Sequence, residues 1–153
     1  MACEYSNNSV QTVNPGESVI FTQSPEPCTQ GLVRHRDDTG SFLLAGRVNR
    51  CSCGCMPKSA KYFVDFGANI AIPTGGTVEP ISLAITLDGS TIPTTEMIVT
   101  PAAVEEFFNV SDGTIVSIWT GCCETLAVRN ITDQPILVQN ANIVFSRTDG
   151  YPM

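Results

Sequence analysis

Histidine is almost missing from this sequence, since His35 is the only one among 153 residues. A metal site built on several histidines is therefore excluded, and a nucleophilic serine or cysteine would have to use His35 as its base. No local sequence around a cysteine matches a known nucleophile turn. We therefore expect His35 to be a strand-edge residue with a structural hydrogen bond.

Charged residues are also scarce, at 15% of the chain. The fifteen acidic residues are scattered, and Glu105 and Glu106 would point to different faces of a helix or strand, so a carboxylate-pair hydrolase is unsupported. Gly75–Gly76 lacks the Lys-Ser/Thr or the third glycine of a phosphate-binding loop. The sequence predicts no catalytic residue, no cofactor-binding residue and no cofactor, and we do not expect an enzyme.

Long apolar runs and an export signal are missing as well. No segment reaches the roughly 18 apolar residues of a membrane span, so we expect no membrane partner. The first residues, Met1 to Tyr5, lack the basic and then apolar layout of a secretory signal. We expect the protein to be made in a cytoplasm and to stay there or to leave inside an assembly.

Cysteine is present in an odd number, seven, which is too few for a secreted disulfide scaffold. Three cysteines, Cys51, Cys53 and Cys55, lie within five residues and offer three thiolates of the kind that bind Zn²⁺. The candidates for a fourth ligand are Cys28, His35 and the Cys122–Cys123 pair.

The spacing of these thiols argues against zinc. They are separated by one residue, whereas most zinc sites use roughly two to four, and in an extended strand they would lie about 6.6 Å apart. A disulfide between Cys28 and Cys51, which flank a predicted hairpin, is an alternative in an oxidising medium. Free thiols are the third alternative. We favour free thiols or disulfides over zinc and predict no metal site. The state of Cys51, Cys53 and Cys55 is left open.

The net charge of −7 is unevenly distributed along the chain. Six of the eight basic residues and two of the acidic residues lie between Arg34 and Lys61, so this stretch carries +4 and the remainder −11. The asymmetry indicates a contact with an acidic partner surface, such as a neighbouring copy, although basic side chains solvated on loops explain it equally well. The acidic remainder would repel phosphates, so nucleic acid is not an expected partner.

Apolar residues at every second position predict β-strands in the middle of the chain. The runs from Tyr62 to Ile72 and from Ile81 to Leu87 both alternate in this way. Asp88–Gly89 then predicts a two-residue hairpin, and Asp112–Gly113 predicts another turn. The only helix candidate is Thr100 to Phe108, for which a bulged strand is the alternative.

The last third of the chain contains strand-like runs that are apolar on both faces, such as Ile115–Val116 and Ile118–Trp119. Strands of this kind indicate a subunit interface. About eight to ten short strands with dense turn signals predict a sandwich or barrel. We predict an all-β chain that forms one domain over residues 1–153, with irregular termini at 1–9 and 148–153.

Several of these segments resemble a known family. The stretches from Tyr62 to Ile72 and from Ile81 to Gly89 resemble the globular heads of TNF-like and complement-type jelly rolls. Leu126–Asn130 and Ile136–Phe145 fit the last two strands of that fold. The resemblance implies an antiparallel jelly-roll sandwich that forms a compact trimer, with apolar strand faces meeting at the three-fold axis, and it carries no active site.

The chain from Val10 to Arg147 also resembles small structural proteins of tailed bacteriophages and of prophages of gut bacteria. This implies a non-enzymatic virion structural protein, such as a capsid decoration or head-fibre trimer, assembled in the bacterial cytoplasm. Its partners would be other copies of the chain and the major capsid protein or another virion protein, reached through Arg34 to Lys61. The alternative is a receptor- or glycan-binding head of a phage or bacterial surface structure, with its ligand at Asp88–Gly89 and Asp112–Gly113.

Overall fold

The structure, a computed structural model, describes residues 2–50, 54–121 and 123–153. Within these ranges the chain forms twelve β-strands and one short 3-10 helix, Pro93–Thr95. The strands are β1 (Ala2–Asn7), β2 (Gln11–Val13), β3 (Gln23–Glu26), β4 (Val33–His35), β5 (Phe42–Ala45), β6 (Ser59–Ala71), β7 (Ile81–Leu87), β8 (Ser90–Thr91), β9 (Met97–Val99), β10 (Phe108–Trp119), β11 (Cys123–Asn130) and β12 (Ile136–Arg147). The all-β prediction is confirmed.

The strands form two antiparallel sheets that pack on each other. Sheet A has the order β10-β6-β12-β1-β3, with β2 paired to the far part of β12. Sheet B has the order β4-β5-β11-β7-β8, with β9 paired to β7. Several neighbours, such as β1 and β12 in sheet A and β5 and β11 in sheet B, come from distant parts of the chain, as the crossed connections of a jelly roll require.

The core lies between the sheets and is lined by alternate residues of the long strands. In β6 every second residue from Ala60 to Ile70 is buried, as the two-residue rhythm predicted. The ring of Phe42 lies at the centre of an aromatic group, with centroid distances of 5.1 Å to Tyr5, 5.3 Å to Phe21 and 4.9 Å to Phe145. Such ring pairs add about 0.5–1.5 kcal/mol each to the stabilisation that burial provides.

The hairpin predicted at Asp88–Gly89 is confirmed. These two residues join β7 to β8, and their φ angles of 49° and 84° are both positive, as the favoured two-residue turn requires. Thr125 donates its backbone N–H to the Asp88 carboxylate at 2.8 Å, which holds the turn against β11.

The prediction of an irregular N-terminus over 1–9 was wrong. β1 lies inside sheet A, between β12 and β3, and the side chains of Cys3 and Tyr5 are buried. The strand escaped recognition because it is short and its outward residues, Glu4 and Ser6, are polar, so the apolar alternation has only two members. Residues 148–153 form no strand.

Asp112–Gly113 is not a turn. Both residues lie inside β10, where Asp112 pairs with Phe66 and Gly113 with Asp65. The pairing of β10 with β6 continues without interruption from Phe108 to Trp119, so the ladder outweighs the local turn preference of an Asp-Gly pair.

The segment from Thr100 to Phe108 does not form the predicted helix. Its backbone bends at Glu105, whose φ is 58°, and the Glu105 N–H donates to the carbonyl of Ile72 at 2.7 Å. A hydrogen bond directed to another segment and a left-handed residue both prevent a helical turn here. Among the residues that the structure describes, no helix is long and apolar enough to cross a membrane.

Candidate interaction surface

The outer face of sheet A carries exposed apolar side chains. Even-numbered residues of β6 and β10 turn toward the core, so the odd-numbered ones form this outer face. Ile115 pairs directly with Phe63, and Trp119 pairs with Ser59 further along the same two strands. Ile115 is 59% exposed, Trp119 61% and Phe63 38%. We call these three residues the outer-face cluster, in which Phe63 and Ile115 are direct neighbours and Trp119 lies beyond the Ser117–Lys61 pair. Exposed apolar side chains on one face are typical of a surface that another protein covers.

Small residues make the surface around the cluster flat. The other outward positions of β10 from residue 111 onward are Ser111, Gly113 and Ser117. A Cβ on Gly113 would lie 2.9 Å from Cζ of Phe63, so the absence of a side chain lets the Phe63 ring lie across the neighbouring strand. A flat face allows another protein to approach the sheet over a wide area.

Polar residues occupy the opposite end of the same face. Asn109 Nδ2 donates to Asn69 Oδ1 at 3.1 Å across β10 and β6. Near the cluster, Lys61 Nζ donates to Ser117 Oγ at 3.5 Å, and Asp65 is exposed on the same strand. The face therefore has an apolar end with one cation and one anion beside it, and a hydrogen-bonded polar end.

The sequence predicted an interface from two apolar pairs, Ile115–Val116 and Ile118–Trp119. Each pair has one residue in the core and one on the surface. Val116 and Ile118 are buried inside the sandwich, whereas Ile115 and Trp119 point outward. The core of the sandwich therefore accounts for only one member of each pair. Phe63 lies on the odd-numbered face of β6, which the alternation left as either solvated or interfacial, so its place in the cluster was not singled out.

His35 has the structural hydrogen bonds that the sequence predicted. Its Nδ1 lies 3.1 Å from the carbonyl oxygen of Ser41 and its Nε2 lies 3.1 Å from that of Phe21. The imidazole also stacks on Phe42, with 4.3 Å between the ring centroids. Both nitrogens contact backbone oxygens, so neither faces a nucleophile, and His35 serves to join segments of the fold.

The cysteines are distributed differently from the expectation. Cys28 forms a disulfide with Cys3, with 5.1 Å between the Cα atoms, which rules out the alternative in which Cys28 pairs with Cys51. The reason is the unrecognised strand β1, which pairs with β3 through Glu4 and Glu26 and places Cys3 beside the chain that follows β3.

The Cys51–Cys53–Cys55 cluster is only partly within the described residues. Cys51 and Cys53 lie outside them, as does Cys122, so zinc binding and free thiols stay open for this cluster, whereas the stated disulfide to Cys28 does not. Cys55 and Cys123 are exposed. The described part of the chain contains no group of three or more histidine, cysteine, aspartate or glutamate residues that could hold a metal ion.

The two loops predicted to bind a ligand do not form one surface. Asp88–Gly89 is the turn between β7 and β8 in sheet B, whereas Asp112–Gly113 lies within β10 of sheet A. Asp112 instead lines an open cleft of about 400 Å³ at the edge of the sandwich, between β9 and β10. The other lining residues are Thr94, Glu96, Met97, Ile98, Val99, Asn109, Val110 and Ser111.

Arg147 is a buried cation at the end of β12. Its side chain is 1% exposed and its guanidinium lies 5.0 Å from the ring centroid of Tyr62 and 4.6 Å from that of Tyr151. Asp149 accepts two hydrogen bonds from it, with Nε to Oδ1 at 3.0 Å. Burial by itself raises the pKa of Asp149, but the hydrogen bonds from Arg147 and Tyr151 and the charge of Arg147 outweigh it and hold the pKa below its ordinary value. These contacts fix the last residues to the sandwich.

Comparison with known proteins supports the architecture just described. No protein-family model matches the chain, and no curated protein matches it. Among solved structures, the globular domain of zebrafish complement 1qA protein superposes with a TM-score of 0.60, covering 99% of this chain and 98% of that chain at 12% identity. The fold is a TNF-like, complement-type jelly roll.

Two further structures share this jelly roll. Eiger TNF from S. frugiperda has a TM-score of 0.65 and 11% identity, covering 96% of this chain and 91% of that chain. Pika GITRL has a TM-score of 0.50 and 13% identity, covering 95% and 96%. At these identities the likeness establishes the fold, and the antiparallel jelly-roll prediction is confirmed.

Proposed function

We propose that this jelly roll is a non-enzymatic module that associates with copies of itself through the outer face of sheet A. The exposed cluster of Phe63, Ile115 and Trp119 supports this proposal, because it lies on a regular, flat sheet rather than in a loop. His35 supports the non-enzymatic part, since backbone oxygens occupy both of its nitrogens.

The size of the face suits a stable protein–protein contact. The five strands have 12, 13, 12, 6 and 4 residues, which at about 3.3 Å per residue and about 4.8 Å between strands give roughly 740 Å². Specific interfaces bury about 800 Å² on each partner. The family resemblance implies three copies, and the proposal is therefore a homotrimer.

A matched pair of substitutions tests this association. Ile115→Ser places a hydroxyl in the cluster, whereas Ile98→Ser does so at an isoleucine of equal exposure, 58% against 59%, on β9 of the other sheet. We expect sedimentation equilibrium to show a weakened oligomer for Ile115→Ser and an unchanged one for Ile98→Ser. The proposal would be contradicted if both variants self-associated as strongly as the parent protein.

We also propose that the oligomer is a virion structural protein, such as a capsid decoration or head fibre. This part rests on the expectation stated from the sequence, because the solved structures that the chain resembles are complement and TNF domains. The Cys3–Cys28 disulfide is compatible with it if the bond forms after the particle leaves the reducing cytoplasm.

Proteomic analysis of purified virions tests the proposed location. We expect the chain at a fixed copy number relative to the major capsid protein, and its absence from the particles would contradict a virion role. A glycan array is the complementary measurement, because specific glycan binding together with absence from virions would favour the receptor- or glycan-binding head.

A further inference from the structure

The two ends of the sandwich are set far apart by β6. This strand has 13 residues, which at about 3.3 Å each span roughly 40 Å. Lys58 immediately precedes the strand and Ile72 immediately follows it. Side chains grouped around Lys58 and around Ile72 therefore belong to opposite ends of the molecule.

Three loops at the Ile72 end form one acidic surface, which we call the acidic end. They are residues 72–80, 100–107 and 131–135. Glu105 N–H donates to the carbonyl of Ile72 at 2.7 Å, which ties the first two loops together. The Gln134 side chain contacts the backbone N–H and carbonyl of Thr77 at 3.0 and 2.8 Å, which ties the third to the first.

The acidic end contains carboxylates without cations. Its loops carry Glu79, Glu105, Glu106 and Asp133, and no lysine or arginine. Burial and then the adjacent charge of Asp133 raise the pKa of Glu79, as expected where carboxylates lie close together. Exposed apolar side chains accompany them, among them Val78, Val104 and Phe107.

The opposite end carries the basic residues, and we call Arg47, Arg50 and Lys58 the basic end. The loop that bears the first two starts beside the turn after β10, where Gly121 N–H donates to the carbonyl of Gly46 at 3.4 Å. Thr120 N–H donates to the carbonyl of Lys58 at 2.9 Å in the same place.

The cations of the basic end are not neutralised within the described part of the chain, where the only ion pair is Arg147–Asp149. Two further acids, Asp88 and Glu124, lie at this end, near the start of β11, which leaves the three cations in excess by one charge. Met56, which is 50% exposed, adds an apolar side chain beside them.

We propose that the acidic end of one copy binds the basic end of the next, so that copies associate end to end. The two surfaces are complementary in charge, and each includes exposed apolar side chains. Such a contact joins two different patches and does not close on itself, so it extends into a chain of copies. It goes beyond the proposed association through sheet A and uses none of the outer-face cluster.

Salt dependence is the signature of this contact. The charges are exposed, and the screening length is about 8 Å at physiological ionic strength, so the contact is weak at high salt and stronger at low salt. If the sheet A faces form a cyclic oligomer, all its acidic ends lie on one side, and several weak contacts then act together.

Sedimentation velocity with paired charge reversals tests the end-to-end contact. In the parent protein we expect species larger than the sheet A oligomer at about 20 mM salt, and their loss at about 500 mM, where screening is complete within a few ångströms. Glu105→Lys/Glu106→Lys brings the acidic end, with its four carboxylates, to zero net charge, and Arg47→Glu/Lys58→Glu makes the basic end acidic. Each variant alone should lose the larger species. An equimolar mixture of the two should regain species larger than the sheet A oligomer, because the unchanged acidic end of the second variant can bind the unchanged basic end of the first.

The control is Glu26→Lys/Asp37→Lys, which changes the net charge as much as the first variant but lies outside the three acidic loops. We expect it to retain the larger species. Their absence at low salt, their absence from the mixture, or an equal loss in the control would overturn the proposal. Binding of polylysine without self-association would also overturn it, and would assign the acidic end to a basic partner.

The same experiment separates this proposal from the sheet A association. Monomers of Phe63→Ser/Ile115→Ser should still associate end to end at low salt, because this directly paired couple lies within β6 and β10, away from both groups of loops. Complete loss of the salt-dependent species in that variant would contradict the end-to-end contact as described.

Discussion

The ring of Phe63 lies over Gly113 of the adjacent strand, so close that a Cβ on residue 113 would stand 2.9 Å from the ring edge. The glycine thus serves the outer face of sheet A rather than a turn. It keeps an aromatic ring flat on the sheet, next to its pairing partner Ile115.

Gly113→Ala should therefore weaken self-association with little effect on the fold. The added methyl group must displace the Phe63 ring, which is the end of a rotatable side chain, while alanine costs less conformational entropy than glycine in a strand. We expect a higher dissociation constant by sedimentation equilibrium and a melting temperature within a few degrees of the parent. Ser111→Ala, on the same strand and face, is the control and should behave like the parent.

The Cys3–Cys28 disulfide should be a substantial part of the stability. The bond closes a loop with a sequence separation of 25 residues, for which chain entropy predicts roughly 3 kcal/mol. Cys3→Ser/Cys28→Ser should shift the urea midpoint down accordingly, and a reductant should shift the parent in the same way. Cys123→Ser, which alters an exposed thiol, should not. Equal urea midpoints of the parent with and without reductant would show that the bond is absent or contributes nothing.

Asp149→Asn should destabilise the protein by about 2 kcal/mol, because the buried Arg147 guanidinium loses its charged partner. The lowered pKa of Asp149 means that its contribution is present above the ordinary value near 3.8 and is lost as the pH falls through the lower folded value. Acid titration followed by circular dichroism should therefore show a stability loss below pH 3.8 that the variant lacks. Asp37→Asn, at an exposed loop acid, should leave that acid transition unchanged.

Glu124→Gln should stabilise the protein, in contrast to Asp149→Asn. Glu124 Oε2 is buried and has no hydrogen-bond partner among the described residues, and burial followed by the charge of Asp88 raises the pKa of this carboxyl. The folded protein therefore favours the protonated acid, and ionisation costs stability once the pH rises above the ordinary value of 4.5. We expect the variant to be more stable than the parent at pH 7, by about 1 kcal/mol.

The advantage of Glu124→Gln should disappear near pH 4, where the parent side chain is also neutral. Asp88→Asn tests the same effect independently and should also stabilise the protein at pH 7. It removes the neighbouring charge and keeps the oxygen that accepts a hydrogen bond from Thr125 N–H. A parent that is more stable than both variants at neutral pH would contradict this account of Glu124.

The sequence predicted the fold best where one face of a strand is apolar and the other is not. In β6 and β7 the alternation identified the strands, and Asp88–Gly89 identified their neighbouring hairpin, because both signals are local. β1 and β3 escaped because they are short and polar, and their place is decided by pairing with each other and with β12. The same long-range pairing decided the partner of Cys28.

The interaction surface was predicted in part. Ile115 and Trp119 were singled out because each adjoins a residue that belongs in the core, so one of the two had to be exposed. Phe63 could not be assigned in this way, since its position depends on the register that sets it opposite Ile115 and beside Gly113. Register between strands 40 or more residues apart is not a local property.

The central claim is that the exposed face of sheet A is covered by other copies of the same chain. Native mass spectrometry of the untagged, oxidised protein at physiological salt tests it most directly. We predict a homo-oligomer, with a trimer as the dominant mass, that dissociates when Ile115 and Trp119 are both changed to serine. Detection of the parent protein only as a 16.4 kDa monomer, with the same spectrum as that variant, would contradict the account.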